Sequence, residues 1–93
     1  MLRMLDAAIE LTQTIAGRRL GKATAVRVRA HVFRRVGGEE APWQRVAINT
    51  SLPYVDEDVF APGTFLEYYV HVQPSAPDDG ASDRSYLLGT TTT

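Results

Sequence analysis

Two stretches of strict alternation organise the chain. Residues 25–35, AVRVRAHVFRR, put Val26, Val28, Ala30 and Val32 on one face and Arg27, Arg29, His31, Phe33 and Arg35 on the other. That period of two belongs to a half-buried strand. Residues 65–73, FLEYYVHVQ, repeat the pattern, with Leu66, Tyr68, Val70 and Val72 inward and Glu67, Tyr69 and His71 outward. Shorter extended pieces are predicted at WQRVAIN (43–49), YVDEDV (54–59) and SYLLGTTTT (85–93), which are rich in β-branched and aromatic residues. Turn signals separate them: VGGEEAP, the TSLP corner, FAPGT and the two-proline loop PSAPDDGASD. GRRLGKAT, residues 17–24, reads as a polar, glycine-punctuated connection.

The N-terminal stretch supports two readings. Leu5, Ala8, Ile9, Thr12 and Ile15 or Ala16 share a helical face that Gly17 would cap. Ile9, Leu11, Gln13 and Ile15 also alternate, as a strand would. Five to seven strands between turn signals predict an all-β, antiparallel sandwich. The expected layout is one domain over residues 1–93, with an N-terminal segment and linker over 1–22 and the sandwich over 23–93.

Composition narrows this picture. Ninety-three residues, 44% hydrophobic, suit one thin core and argue against wholesale disorder. The chain has no cysteine, which removes disulfides, thiol chemistry and cysteine-ligated zinc. No apolar run reaches the ~18 residues of a membrane-spanning helix. Asp6 and Glu10 interrupt what would have to be the core of a secretory signal. Synthesis in the cytoplasm is the expectation; the final localisation stays open, with incorporation into a particle as one destination. The net charge of −1 hides a split: residues 1–48 carry nine basic and four acidic side chains, residues 49–93 one basic and seven acidic. Pairing of the two halves across neighbouring strands is the expectation, rather than a nucleic-acid face.

Residues 26–93 resemble a fibronectin type III domain, an immunoglobulin-like sandwich. The resemblance rests on Tyr54-Val55-Asp56, the Ala61-Pro62-Gly63-Thr64 turn, the alternation of Leu66 to Val72, the polar loop at Asp79-Gly80-Ala81-Ser82 and a closing Ser/Thr-rich strand. Upstream, HVFRRVGGEEAPWQRVA is similar to the family's third strand, its turn and the short strand that follows. Two departures stand out. The tryptophan of the family's second strand is missing around Leu11 to Gln13, and its corner tyrosine is replaced by Leu66.

Chemical motifs are sparse. GRRLGK is one residue short of a phosphate loop and has Ala23 where a magnesium-binding hydroxyl belongs. His31 and His71 fall on outward faces of neighbouring strands, but only Glu67 offers a further metal ligand, so no metal or cofactor is expected. Asp56, Glu57 and Asp58, like Asp78, Asp79 and Asp83, match no calcium loop and read as solvated turn residues. Neither an activated serine nor a carboxyl pair with separated pKa values is marked, so no enzyme activity is expected. Asn49-Thr50-Ser51 matches a glycosylation acceptor by chance.

What remains is the outward row Arg27, Arg29, His31, Phe33 and Arg35, with Trp43 and Tyr69 expected beside it. Glu67 can pair with one arginine and Tyr69 can stack on a guanidinium, which leaves arginines over. Arginine, tryptophan and tyrosine dominate protein-contact energetics. The functional expectation is a free-standing, non-catalytic structural or interaction module that binds other protein subunits in a homo- or hetero-oligomeric assembly, with a virion or phage-tail accessory protein as an example by analogy. Two alternatives stay open: a carbohydrate-binding module using exposed Trp43, Tyr54 or Tyr69, and a weak nucleic-acid binder using residues 18–35. The acidic second half disfavours nucleic acid.

Overall fold

The computed structural model describes residues 9–21, 29–73 and 84–93. These hold seven strands and no helix: β1 (Leu11–Gln13), β2 (Arg18–Leu20), β3 (Arg29–Val36), β4 (Gln44–Ser51), β5 (Tyr54–Asp56), β6 (Phe65–Gln73) and β7 (Arg84–Thr91). They form two antiparallel sheets, one of order β1-β2-β5 and one of order β4-β3-β6-β7. Among the described residues no helix is long and apolar enough to cross a membrane.

The long strands follow the alternation. β6 covers the predicted residues 65–73, and Leu66, Tyr68 and Val70 are fully buried together with Ala30 and Val32 of β3. Val72 packs against this core while half-buried. Val26 and Val28 lie outside the described residues, as does the loop holding Asp78, Asp79 and Asp83. The FAPGT turn is as predicted. The Thr64 amide donates to the Ala61 carbonyl (3.2 Å), and Gly63 takes φ +86° after Pro62, a conformation that suits glycine at the third position of a type II turn.

The N-terminal region corrects two expectations. GRRLGKAT is no mere connection, since Arg18 to Leu20 form β2 at the centre of the three-stranded sheet, with Leu20 fully buried. Gly17 caps no helix. It closes a tight hairpin in which Thr14 and Gly17 exchange backbone hydrogen bonds (2.7 and 3.2 Å), leaving Ile15 and Ala16 at the exposed tip. Gly17 has φ +149°, and a Cβ there would come within 2.2 Å of the Asp56 carbonyl oxygen, so only glycine lets β2 approach β5 this closely. The strand reading holds for residues 11–13, and residues 2–8 lie outside the described set.

The largest correction lies between the sheets. Asp56, expected as a solvated turn residue, is 2% exposed, and Arg18 and Arg34 are buried with it. Arg34 Nη1 donates to both Asp56 carboxylate oxygens (3.1 and 2.9 Å) and to Asp58 Oδ2 (2.8 Å). Arg18 Nε donates to the Tyr68 hydroxyl (2.7 Å), and its Nη2 donates to the carbonyls of Asp56 (3.0 Å) and Asp58 (2.5 Å). The Tyr68 hydroxyl in turn donates to Asp56. Phe60 lies against both guanidiniums, with Cζ 5.4 Å (Arg18) and 4.9 Å (Arg34) from its ring centroid, a cation–π arrangement. Burial works to raise the Asp56 carboxyl. The hydrogen bonds from Tyr68, Arg34 and the Asp58 amide outweigh it and hold the group below the usual carboxylate range.

A carboxyl with a depressed folded-state pKa contributes stability that is present above its unfolded value, near pH 4, and is lost as pH falls below it. Asp56→Asn leaves Arg34 and Arg18 buried without their anion, which should cost about 3–5 kcal/mol at neutral pH and strip away this share of the acid sensitivity. Urea denaturation of both proteins between neutral pH and pH 3 measures it. The gap between them should narrow with acid, and a gap that stays constant would show that Asp56 is not the titrating group.

Candidate functional site

The outward side chains of β3 and β6 meet row by row on the open face of the four-stranded sheet. His31 opposes His71, Phe33 opposes Tyr69, and Arg35 opposes Glu67, while Tyr69 and Glu67 continue across to Leu87 and Gly89 of β7. On the other flank Arg45 of β4 opposes Phe33, and Trp43 stands just before β4. Phe33, Trp43 and Tyr69 line an open depression of about 260 Å³. The ring centroids of Trp43 and Tyr69 are 6.1 Å apart at 53°, those of Phe33 and Tyr69 5.9 Å apart at 52°. These tilted contacts are the arrangement aromatic quadrupoles favour. Trp43 is 38% exposed and Tyr69 37%.

Six of the seven residues expected at a contact surface fall on or beside this face: Arg29, His31, Phe33, Arg35, Trp43 and Tyr69. Arg27 lies outside the described residues. Their partners agree with expectation in the Glu67 pairing and differ from it in the stacking. Arg35 is the arginine that pairs with Glu67, with Nε and Nη2 both 2.8 Å from Oε1. The guanidinium stacks on Trp43, not Tyr69, at 4.4 Å from the ring centroid. Tyr69 packs on rings instead, and its hydroxyl donates to Ser85 Oγ (2.9 Å). His31 supports its own sheet: its Nδ1 accepts the amide of Asn49 (3.0 Å), where β4 is irregular and Asn49 takes φ +51°.

The His31 and His71 rings are 6.0 Å apart, and among the described residues no group of three His, Asp or Glu gathers to hold a metal. The described part of the basic stretch, residues 18–21 and 29–35, is not a solvent-facing stripe. Arg18 and Arg34 are buried on Asp56, Arg35 is held by Glu67 and Arg19 is half-buried, so Arg29 carries the exposed charge of β3. The ion pairs at Arg18, Arg34 and Arg35 all join the basic half of the chain to the acidic half. Leu87 was missed as a member of this face, although its place in the SYLLG alternation marks it. No family model matches the chain, and neither does any curated protein or solved structure compared with it.

Arg35 is thus a structural element of the face, with both it and Glu67 mostly buried at the side chain. Arg35→Glu sets two carboxylates opposite each other and removes the Trp43 stack, and should cost about 1–3 kcal/mol. Adding Glu67→Arg restores the pair in reverse and should recover most of that loss. A double variant no more stable than Arg35→Glu alone would show that the pair contributes little.

Proposed function

We propose that the protein is a non-catalytic contact module that works as a subunit of a larger assembly and docks a protein partner on the Phe33–Trp43–Tyr69 face. One observation carries the reading: Tyr69 packs against both Phe33 and Trp43, and Trp43 against Arg35, yet Trp43 and Tyr69 stay partly open to water on a sheet face. Pre-organised aromatic and arginine side chains of this kind are the groups that anchor protein interfaces, because little side-chain entropy is lost on contact. The finer fold belongs to the same proposal. A three-stranded sheet facing a four-stranded one, with β4 at the edge beside β3, supports a fibronectin type III-like sandwich. Tyr68, buried two residues after Leu66, supplies the interior hydroxyl.

A sugar platform is less favoured, since the rings meet at 52–53° and do not lie flat, and Tyr54 is half-buried with its hydroxyl on the Val46 carbonyl (3.4 Å). Nucleic acid is less favoured because three of the five described arginines in residues 18–35 are paired with carboxylates. The test places a photo-crosslinking phenylalanine analogue at Tyr69 and, as a control, at the exposed Val59, in the organism of origin. Tyr69 should give one discrete protein adduct that Trp43→Ala abolishes while the melting temperature is largely kept. Adducts that are equal at both positions, or indifferent to Trp43→Ala, would place the contact elsewhere.

A further inference from the structure

The edge strand β7 carries a second surface, its backbone edge, which adjoins the aromatic face at Leu87. On its inner side the Thr92 amide donates to the Thr64 carbonyl (2.9 Å), and the Gly63 amide donates to the Thr92 carbonyl (2.9 Å). Antiparallel alternation carries this bonded set to Thr90, Leu88 and Tyr86, opposite Leu66, Tyr68 and Val70. The odd residues Ser85, Leu87, Gly89 and Thr91 therefore aim their backbone N–H and C=O groups away from β6, on the side where the sheet order ends among the described residues. Thr91 is occupied, since Gln13 Nε2 donates to its carbonyl and to the Thr90 hydroxyl (both 3.0 Å). Ser85, Leu87 and Gly89 are exposed, Leu87 at 62%.

Such an edge is normally blunted by lysine, proline, a bulge or a cover. Ser85-Tyr86-Leu87-Leu88-Gly89 has no charge and no proline, and its register with β6 is unbroken. We propose that this edge pairs antiparallel with the same edge of a second copy, with the two-fold axis at Leu87. The outward-facing set is symmetric about that residue: Ser85 meets Gly89 of the second copy, Leu87 meets Leu87, and about six backbone hydrogen bonds form. The ladder ends on each side at the Thr91 that Gln13 already holds. Charge agrees, because Arg84 falls opposite Thr90 of the second copy and not opposite another arginine. The outward row Phe33, Tyr69, Leu87 then continues through Leu87 of the second copy into one sheet spanning both chains, and Trp43 stays open to a different partner.

A strand pair of this length buries less than a standard interface, so the dimer should depend on concentration. Sedimentation equilibrium of the full chain, up to the millimolar range, should show mass rising towards two chains. Leu87→Lys and Leu87→Glu each place like charges on the axis, and should raise the dissociation constant at least ~tenfold without lowering the melting temperature appreciably. Mixed in equal amounts they should associate again, because a residue on the axis meets its own counterpart. Amide exchange should slow at Ser85, Leu87 and Gly89 only in the dimer, and should be slow at Tyr86 and Leu88 in both states. A chain that stays single, a dimer indifferent to both variants, or a mixture that fails to reassociate overturns the proposal. Protection of those three amides in a single chain also overturns it, since another segment of the same chain would then cover the edge.

Discussion

One carboxylate, Asp56, joins the two sheets. It sits at the end of β5 beside Arg18 of β2, its register partner within the three-stranded sheet, and faces Arg34 and Tyr68, register partners within the four-stranded one. Two guanidiniums turned into a thin core would be prohibitive alone, since a buried charge must be paired and hydrogen-bonded. Asp56 supplies the anion, Tyr68 and the carbonyls of Asp56 and Asp58 take up donors, and Phe60 offers its ring to both cations. A buried ion network of this kind is weak evidence for net stability, because an apolar core of equal volume can do as well. Its stronger consequence here is alignment. The four groups come from four strands and meet in only one superposition of the sheets.

That internal demand governs the outer surface. Two of the described arginines are spent inside the protein, and a third is fixed on Glu67, so the open face of the four-stranded sheet is aromatic in character rather than cationic. A steering field for polyanions needs clustered, solvated cations. A contact surface needs rigid apolar groups rimmed by oriented polar ones, and Phe33, Trp43 and Tyr69 with Arg35 and Glu67 have that form. The chain's charge split therefore describes how the molecule is held together more than what it meets.

The sequence made the long strands legible because β3 and β6 each run eight or nine residues, enough for a period of two to stand out. β1 and β2 have three residues each, too few for periodicity, and their hairpin was hidden behind helix-favouring residues and a polar Arg18-Arg19. Tertiary pairing with β5 decides them, and propensity does not register that. Arg34 was legible in principle. It continues the inward set Ala30, Val32, and a cation at an inward position calls for a buried anion. The neighbouring arginines disguised it as part of a basic run, and Asp56 was in turn counted among turn residues. At the outer face, alternation brought Phe33 and Tyr69 together correctly. The stack of Arg35 on Trp43 depends on how the β3–β4 turn returns the chain, which local pattern does not specify.

Arg34 and Arg35 together explain why these misreadings leave the fold unambiguous. They are adjacent in β3 and point to opposite faces, one to Asp56 between the sheets and the other to Glu67 on the outside. A slip of one residue in β3 would send Arg35 and Phe33 inward and leave Val32 and Arg34 in water. It would break both existing ion pairs at once. Hydrophobic alternation alone penalises that slip by a few apolar side chains, in a core whose fully buried members are few. The pair of oppositely directed arginines makes it far costlier, so the electrostatics that align the two sheets also hold the aromatic face on the outside.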